Sequence, residues 1–356
     1  MSERLTSLDA FRGATVAAMI LVNNPGSWSA VYGPLEHAAW HGWTPTDLIF
    51  PFFLFIVGMA LAFSKRTTFV AAARRAGILF ALGVFMAAFP FFDFTTVRIP
   101  GVLQRIAVCY LAAWAIRRRL SVRGQVLATA GLLIAYWGIM TQVPVPGGAP
   151  PNLEPSTSLA AYTDRALLDG HLWKQTKTWD PEGPLSTLPA VATTLLGALA
   201  GAWLQSNRSR FSKALWFIAS GVFLVALGVF WGRYFPINKN LWTSSYVLFT
   251  GGLAAIAFAA CYWLADVKGY TRWSRPFVVF GVNAIFVFVA SGLVGKTLAL
   301  AKVGDPPVSL QARIYESLFA TLLSPKNASV AYALTNVAFW SGVLLLMDRR
   351  GIRVKV

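Results

Sequence analysis

Apolar residues do not alternate with polar ones along this chain. They come in long runs, near residues 10–23, 48–63, 69–90, 101–116, 125–143, 185–204, 214–231, 242–264, 276–296 and 330–347. Unbroken runs of this kind predict helices, whereas a period of two would predict strands. Several are close to the roughly 17 residues that a helix needs to cross a bilayer. In hydrocarbon the backbone must pair with itself, so spanning segments are helices or a closed barrel, and the runs select helices. The expected fold is all-α, a polytopic integral membrane protein with about ten transmembrane helices, read as a single domain over residues 1–356. The first run has Arg12 near its start and no clear small-residue cleavage site, so it reads as a retained span rather than a signal peptide. The segment 310–323, QARIYESLFATLLS, is short and amphipathic and is expected to lie in the interface.

Charge sets the expected orientation. With the N-terminus inside, the inner segments are 64–75, 117–123, 205–213, 265–275 and 348–356; with Arg4 and Arg12 they hold 20 of the 31 Lys and Arg. That bias puts both termini in the cytoplasm. It leaves two sizeable outer loops, 24–47, which has no Lys or Arg, and 144–184, which is rich in Pro and Gly. The second carries Glu154, Asp164, Asp169, Asp180 and Glu182 against Arg165, Lys174 and Lys177, a mildly acidic surface that would favour a cationic substrate such as an amine.

Composition agrees. Only 13% of residues are charged, against roughly 25% in soluble proteins, so lipid must cover much of the surface. The net charge of +17 is accounted for by inner loops, and no nucleic-acid partner is expected. Cys109 and Cys261 lie within apolar runs and read as reduced thiols. There is no Walker loop, dinucleotide fingerprint or G-x-S-x-G elbow.

The chain has three histidines, His37, His41 and His171, two of them in the outer loop 24–47. Imidazole suits acid–base or nucleophilic work because its unperturbed pKa is ~6.5; the alternative is a solvated loop histidine. No further ligand cluster accompanies the pair, so no metal is expected. Polar residues at span ends form the second group of candidates. Asn23 and Asn24 end the first run, Asp47 opens the second, Gln104 and Arg105 sit inside the fourth, and Asn283 lies in the ninth. Such groups are costly at membrane depth and face a cavity or a partner; for Asn283 helix–helix hydrogen bonding is an equal reading. An arginine inside a span needs an anion such as phosphate or carboxylate.

Several strings carry more. RLTSLDAFRGATVAAMILVNN, EHAAWHGWTPTDLIFPFFLFIVG, RIPGVLQRIAVCYL, WDPEGPLSTLPAVATTLLGALAG, PINKNLWTSSYVLFTGG and FGVNAIFVF, in this order, resemble the heparan-α-glucosaminide N-acetyltransferase family, from about residue 4 to 345. The resemblance implies acetyl transfer from cytosolic acetyl-CoA to a glucosamine-like amine on the far, periplasmic side of a bacterial inner membrane. It places the family's active histidine on His37 and a second catalytic residue on Asn23, and gives His41 no role. It begins without the lysosomal enzyme's N-terminal luminal domain and extra leading span, so a heparan chain is not the expected acceptor.

For such a reaction His37 would serve as base or nucleophile and Asn23 would hydrogen-bond the developing oxyanion. Ping-pong and ternary-complex routes both stay open. Arg105, Gln104 and Asn283 are the candidate acetyl-CoA contacts. On the acceptor side the candidates are Asp47, Asp180, Glu182, Lys239 and Asn240; for Asp180 and Glu182 the alternative is capping of the following helix. The expected partners are the acyl donor, the amino-sugar acceptor and the bilayer, with a homodimer as an open alternative. Competing readings are a transporter of a small amino sugar and a non-catalytic scaffold.

Overall fold

The structure, a computed structural model, describes residues 5–64 and 67–354. Arg4, Lys65, Arg66 and Lys355, counted above with the inner basic residues, lie outside that range. The helices are α1 (Thr6–Asn23), α2 (Ile49–Phe63), α3 (Phe69–Ala88), α4 (Val102–Arg119), α5 (Val122–Gln142), α6 (Leu159–Leu168), α7 (Pro184–Leu204), α8 (Arg210–Trp231), α9 (Ser244–Tyr262), α10 (Arg275–Val282), α11 (Ala284–Leu300), α12 (Leu310–Tyr315) and α13 (Pro325–Arg349). Lys302–Val303 and Val308–Ser309 form a short antiparallel pair.

Several helices start for a local reason. Thr68, Ser121, Ser158, Ser209 and Ser309 accept backbone N–H bonds in the first turns of α3, α5, α6, α8 and α12. Pro184 and Pro325 sit where a helix start does not need an N–H. Arg117–Arg119 place positive charge at the last turn of α4.

Among the described residues, seven helices are long and apolar enough to cross a membrane by length and composition, or eight if the pair 272–282 and 284–300, bent by 70°, is one span. The chain is thus an all-α, multi-pass membrane protein. The count of about ten does not follow from that criterion. The expected first and fourth spans fall on α1 and α4, whose Asp9 and Arg12, and Arg105 and Arg117–Arg119, dilute their apolar character. The expected ninth span is not one straight helix, because the chain breaks at Asn283. The segment 310–323 forms α12 and a π-helical turn at Glu316–Ala320. The loop 144–184 contains α6, which its Pro and Gly content did not suggest.

Two compact units divide the chain: residues 1–37, 44–49 and 260–356, and residues 38–43 and 50–259. In the first, α1 packs on α10 with their backbones touching. A Cβ on Gly13 would lie 1.6 Å from the Phe277 carbonyl oxygen, and one on Gly281 would lie 2.0 Å from that of Asp9. Any side chain there forces the helices apart. α11 and α13 flank α1.

The second unit is built around α7, which packs on α4, α5 and α6. α7 also meets α2 at Gly58 and Gly197, where a Cβ would come within 1.9 Å of a carbonyl oxygen across the crossing. Burial separates centre from periphery: the apolar windows of α2, α7 and α9 are 61%, 67% and 61% buried, those of α3, α5 and α8 only 22%, 28% and 22%. The exposed sides of α8 carry Phe211, Leu215, Ile218, Val222 and Phe223, surface suited to lipid.

Candidate functional site

In the first unit, two 3₁₀ turns, Gly33–Leu35 and Pro45–Leu48, frame a histidine. Thr44 caps the second turn and the Asp47 side chain answers, its Oδ2 accepting the Thr44 N–H at 3.0 Å. The Thr44 hydroxyl donates to the Glu36 carbonyl at 2.5 Å and Thr46 to that of Pro34 at 3.2 Å, so the segment before His37 is tied to the turn after it. Asp47 is thereby buried, with 1% of its side chain exposed, and its Oδ1 lies 2.7 Å from His37 Nδ1. A carboxylate can only accept, so in the neutral ring Nδ1 carries the proton and Nε2 keeps its lone pair. With 52% of its side chain exposed, His37 is accessible to a ligand.

Asp47, expected among the acceptor contacts, holds His37 by this bond. Asn23, the last residue of α1, is exposed, and its amide makes no hydrogen bond to a described residue. Asn283 stands at the break between α10 and α11. Its Oδ1 accepts the Val354 N–H at 2.9 Å, which ties down the C-terminal segment as a structural amide would.

In the second unit the expected acidic residues meet an arginine that the sequence did not single out. Arg98 donates Nε–H to Asp180 Oδ2 at 2.8 Å and Nη2–H to both Asp180 Oδ1 and Glu182 Oε2 at 2.5 Å. Asp180 also accepts the Trp173 and Glu182 N–H groups, which occupies both of its oxygens. Asp180 and Glu182, with side chains 0% and 8% exposed, are paired with Arg98 in the turn before α7. Burial alone would raise the Glu182 pKa, but Arg98, Arg105 and Lys239 outweigh it and hold the carboxyl below its usual range. The only signal available was charge balance: an acidic loop needs a cation, and Arg98 precedes the fourth run.

Arg105 reaches the same turn from α4. Its Nη2 donates to the Gly183 carbonyl at 3.1 Å and to the Ser186 hydroxyl at 2.5 Å, and its guanidinium lies 5.1 Å from the Trp242 ring centre. Nε and Nη1 are buried with no hydrogen-bond partner among the described residues. Gln104 is also buried, its amide pressed between Gly83 and Gly101. Lys239 and Asn240 are half-buried in the segment leading to α9.

Asp164 on α6 completes the turn, Oδ2 accepting the Asp180 N–H at 2.8 Å while Oδ1 has no hydrogen-bond partner among the described residues. Burial, reinforced by the Asp180 charge, pushes its pKa up to about 7, against the Asp180 hydrogen bond and the charges of Arg105 and Arg165. A pKa above the ordinary value of ~3.9 means that the carboxyl favours folding fully below pH ~4 and that this contribution is lost as pH rises through about 7. Asp164→Asn is therefore expected to raise the melting temperature relative to the parent at pH 8 more than at pH 5. Equal shifts at both values would contradict the assignment.

Residues 4–234 match the family model described as heparan-alpha-glucosaminide N-acetyltransferase, catalytic. The chain is similar to the Homo sapiens heparan-alpha-glucosaminide N-acetyltransferase, 30% identical over 80% of this chain and 52% of that protein. It is 28% identical to the Mus musculus protein of the same name, over 93% of this chain and 60% of that protein. The chain thus spans little more than half the length of these curated relatives. His37, Asp47, Arg98, Arg105, Asp164 and Glu182 lie inside the family match; Lys239, Asn240 and Asn283 lie beyond it.

Proposed function

Since the chain belongs to the heparan-α-glucosaminide N-acetyltransferase catalytic family, we propose that it moves an acetyl group from acetyl-CoA to the amine of a glucosamine-like sugar on the other side of a bacterial inner membrane. The observation that carries the chemistry is the His37–Asp47 pair, 2.7 Å apart. The buried carboxylate fixes the tautomer whose Nε2 lone pair can act as the base and stabilises the imidazolium that forms. As the amine nitrogen bonds to the thioester carbon, Nε2 takes the amine proton, the carbonyl electrons move onto oxygen, and their return expels the CoA thiolate. Asn23 is assigned to the oxyanion, where one amide donor contributes roughly 3–4 kcal/mol. A covalent acetyl-His37 route uses the same Nε2 and the same aspartate. Labelled acetyl retained on the protein without acceptor identifies that route.

Acetyl-CoA is a substrate of this reaction, consumed at each turnover. Its phosphates suit the basic inner segments. Arg105 Nε and Nη1, buried without partners among the described residues, are donors suited to a carbonyl or anionic group of the acyl donor, and Gln104 sits beside them in sequence. Asn283, tied to Val354, is the weaker donor-side assignment. Thermal stabilisation by acetyl-CoA separates this reading from a sugar transporter, which has no need of a site for the acyl donor.

The proposed sidedness puts loops 24–47 and 144–184 outside and the C-terminus inside. Single cysteines in place of Ser27 and Ser156 should react with an impermeant maleimide added outside, and one in place of Arg353 should not. Labelling of the last from outside would overturn the topology.

A further inference from the structure

In the second unit, residues 38–43 dock onto the segment leading to α9. The Gly42 N–H donates to the Ile237 carbonyl at 2.7 Å, and Trp40 Nε1 donates to the Leu153 carbonyl at 2.9 Å. Trp40 is further held edge-on against Trp179, ring centres 5.1 Å apart. Gly42 has φ +102°, a backbone state that side chains disfavour, and it sits between two exposed residues, His41 and Trp43. Trp43 rests on Phe249 at 4.9 Å and leaves 43% of its surface exposed.

The His41 ring is set by a buried asparagine. Asn238 is fully buried, and its Oδ1 accepts the Leu241 N–H at 2.8 Å, which fixes which end of the amide faces which way. Nδ2 therefore faces His41 Nδ1, at 3.2 Å. An amide nitrogen can only donate, so Nδ1 accepts and, in the neutral ring, Nε2 carries the hydrogen. This is the opposite tautomer to that of His37. His41 is a fixed hydrogen-bond donor, unsuited to act as a base.

We propose that residues 40–43 form a subsite for the ring of an amino sugar, with Trp43 as the stacking face and His41 Nε2–H as a donor to a ring hydroxyl. This rests on the acetyl-transfer reading and names contacts for the acceptor's sugar ring. An amino sugar has an apolar C–H face and an ammonium, both of which an exposed indole face attracts, and hydroxyls that need fixed partners. Neither residue takes part in the chemistry, so their loss is read in acceptor binding.

The test uses the whole chain in detergent. Trp43→Ala and His41→Ala should each raise the glucosamine KM about tenfold, with kcat and the acetyl-CoA KM little changed. His41→Gln, which can offer an N–H where the ring had one, should restore most of the affinity. Trp43→Leu keeps the packing on Phe249 without a ring face and serves if Trp43→Ala fails to fold. Saturation transfer from protein to glucosamine, without acetyl-CoA, should be seen in the parent and lost in the Trp43 variants. An unchanged KM in the variants, with the parent active, would overturn the subsite alone. Binding that depends on Trp43 without any acetyl transfer would overturn the transfer reading and leave the subsite standing. No saturation transfer to glucosamine in the parent would overturn the subsite.

Discussion

His37→Ala is expected to abolish acetyl transfer, by at least ~10³-fold, in a protein that still folds and is still stabilised by acetyl-CoA. General-base assistance alone contributes about 10²–10⁴ in rate, and a covalent role makes the loss larger. Folding should survive because His37 is half exposed and the turn beneath it is held by Thr44, Thr46 and the backbone. Donor binding should survive because the proposed sites for the phosphates are the basic inner segments and not His37. Asp47→Asn is the sharper companion. An Asn amide facing Nδ1 stabilises the tautomer with the proton on Nε2, the wrong one for a base, and kcat is expected to fall ~10²–10⁴-fold. His41 cannot substitute for His37, since Asn238 already fixes it in that unproductive tautomer. Transfer by His37→Ala near the parent rate would sink the mechanism.

Arg98→Ala is expected to cause the largest loss of stability. It leaves two buried carboxylates without their cation, and breaking a buried pair from one side costs about 3–5 kcal/mol. A drop of roughly 5–15 °C in the melting temperature of the detergent-solubilised protein would follow. The pH dependence provides a check. The Glu182 carboxyl is held below its usual range, so its contribution is present above pH ~4.3 and lost as pH falls through its folded pKa. The parent should therefore lose stability on acidification, while Arg98→Ala should close the gap, because protonation removes the stranded charges. Glu182→Gln should act the same way, lowering the melting temperature rather than raising the acceptor KM. A melting temperature within 2 °C of the parent for Arg98→Ala at neutral pH, well inside the expected ~5–15 °C, would contradict this account of the turn.

The helices are legible because the apolar runs are long and several are bounded by a local signal, such as Ser121 before α5 or Pro184 at the start of α7. The number of crossings was less so. α1 and α4 owe their helical form as much to packing as to apolarity, and nothing in GVNAIFVF marks the 70° break at Asn283. α6 was missed because Pro and Gly on either side of it dominate the segment. His37 was found through a family string rather than through chemistry that spacing could supply. Its partner Asp47 is ten residues away across two turns, a distance that only the folded loop closes. Arg98 looked like one scattered outer cation, and its role appears only when residues 98, 180 and 182 meet. The opposite tautomers of His37 and His41 depend on which atom faces each Nδ1, and no sequence pattern encodes that.

The central claim, acetyl transfer across a membrane by this chain, is tested most directly by reconstituting the purified protein in vesicles with labelled acetyl-CoA on one side and glucosamine on the other. The account predicts labelled N-acetylglucosamine on the glucosamine side, formed by the parent and absent with His37→Ala. Movement of glucosamine through the membrane with no labelled product would contradict it.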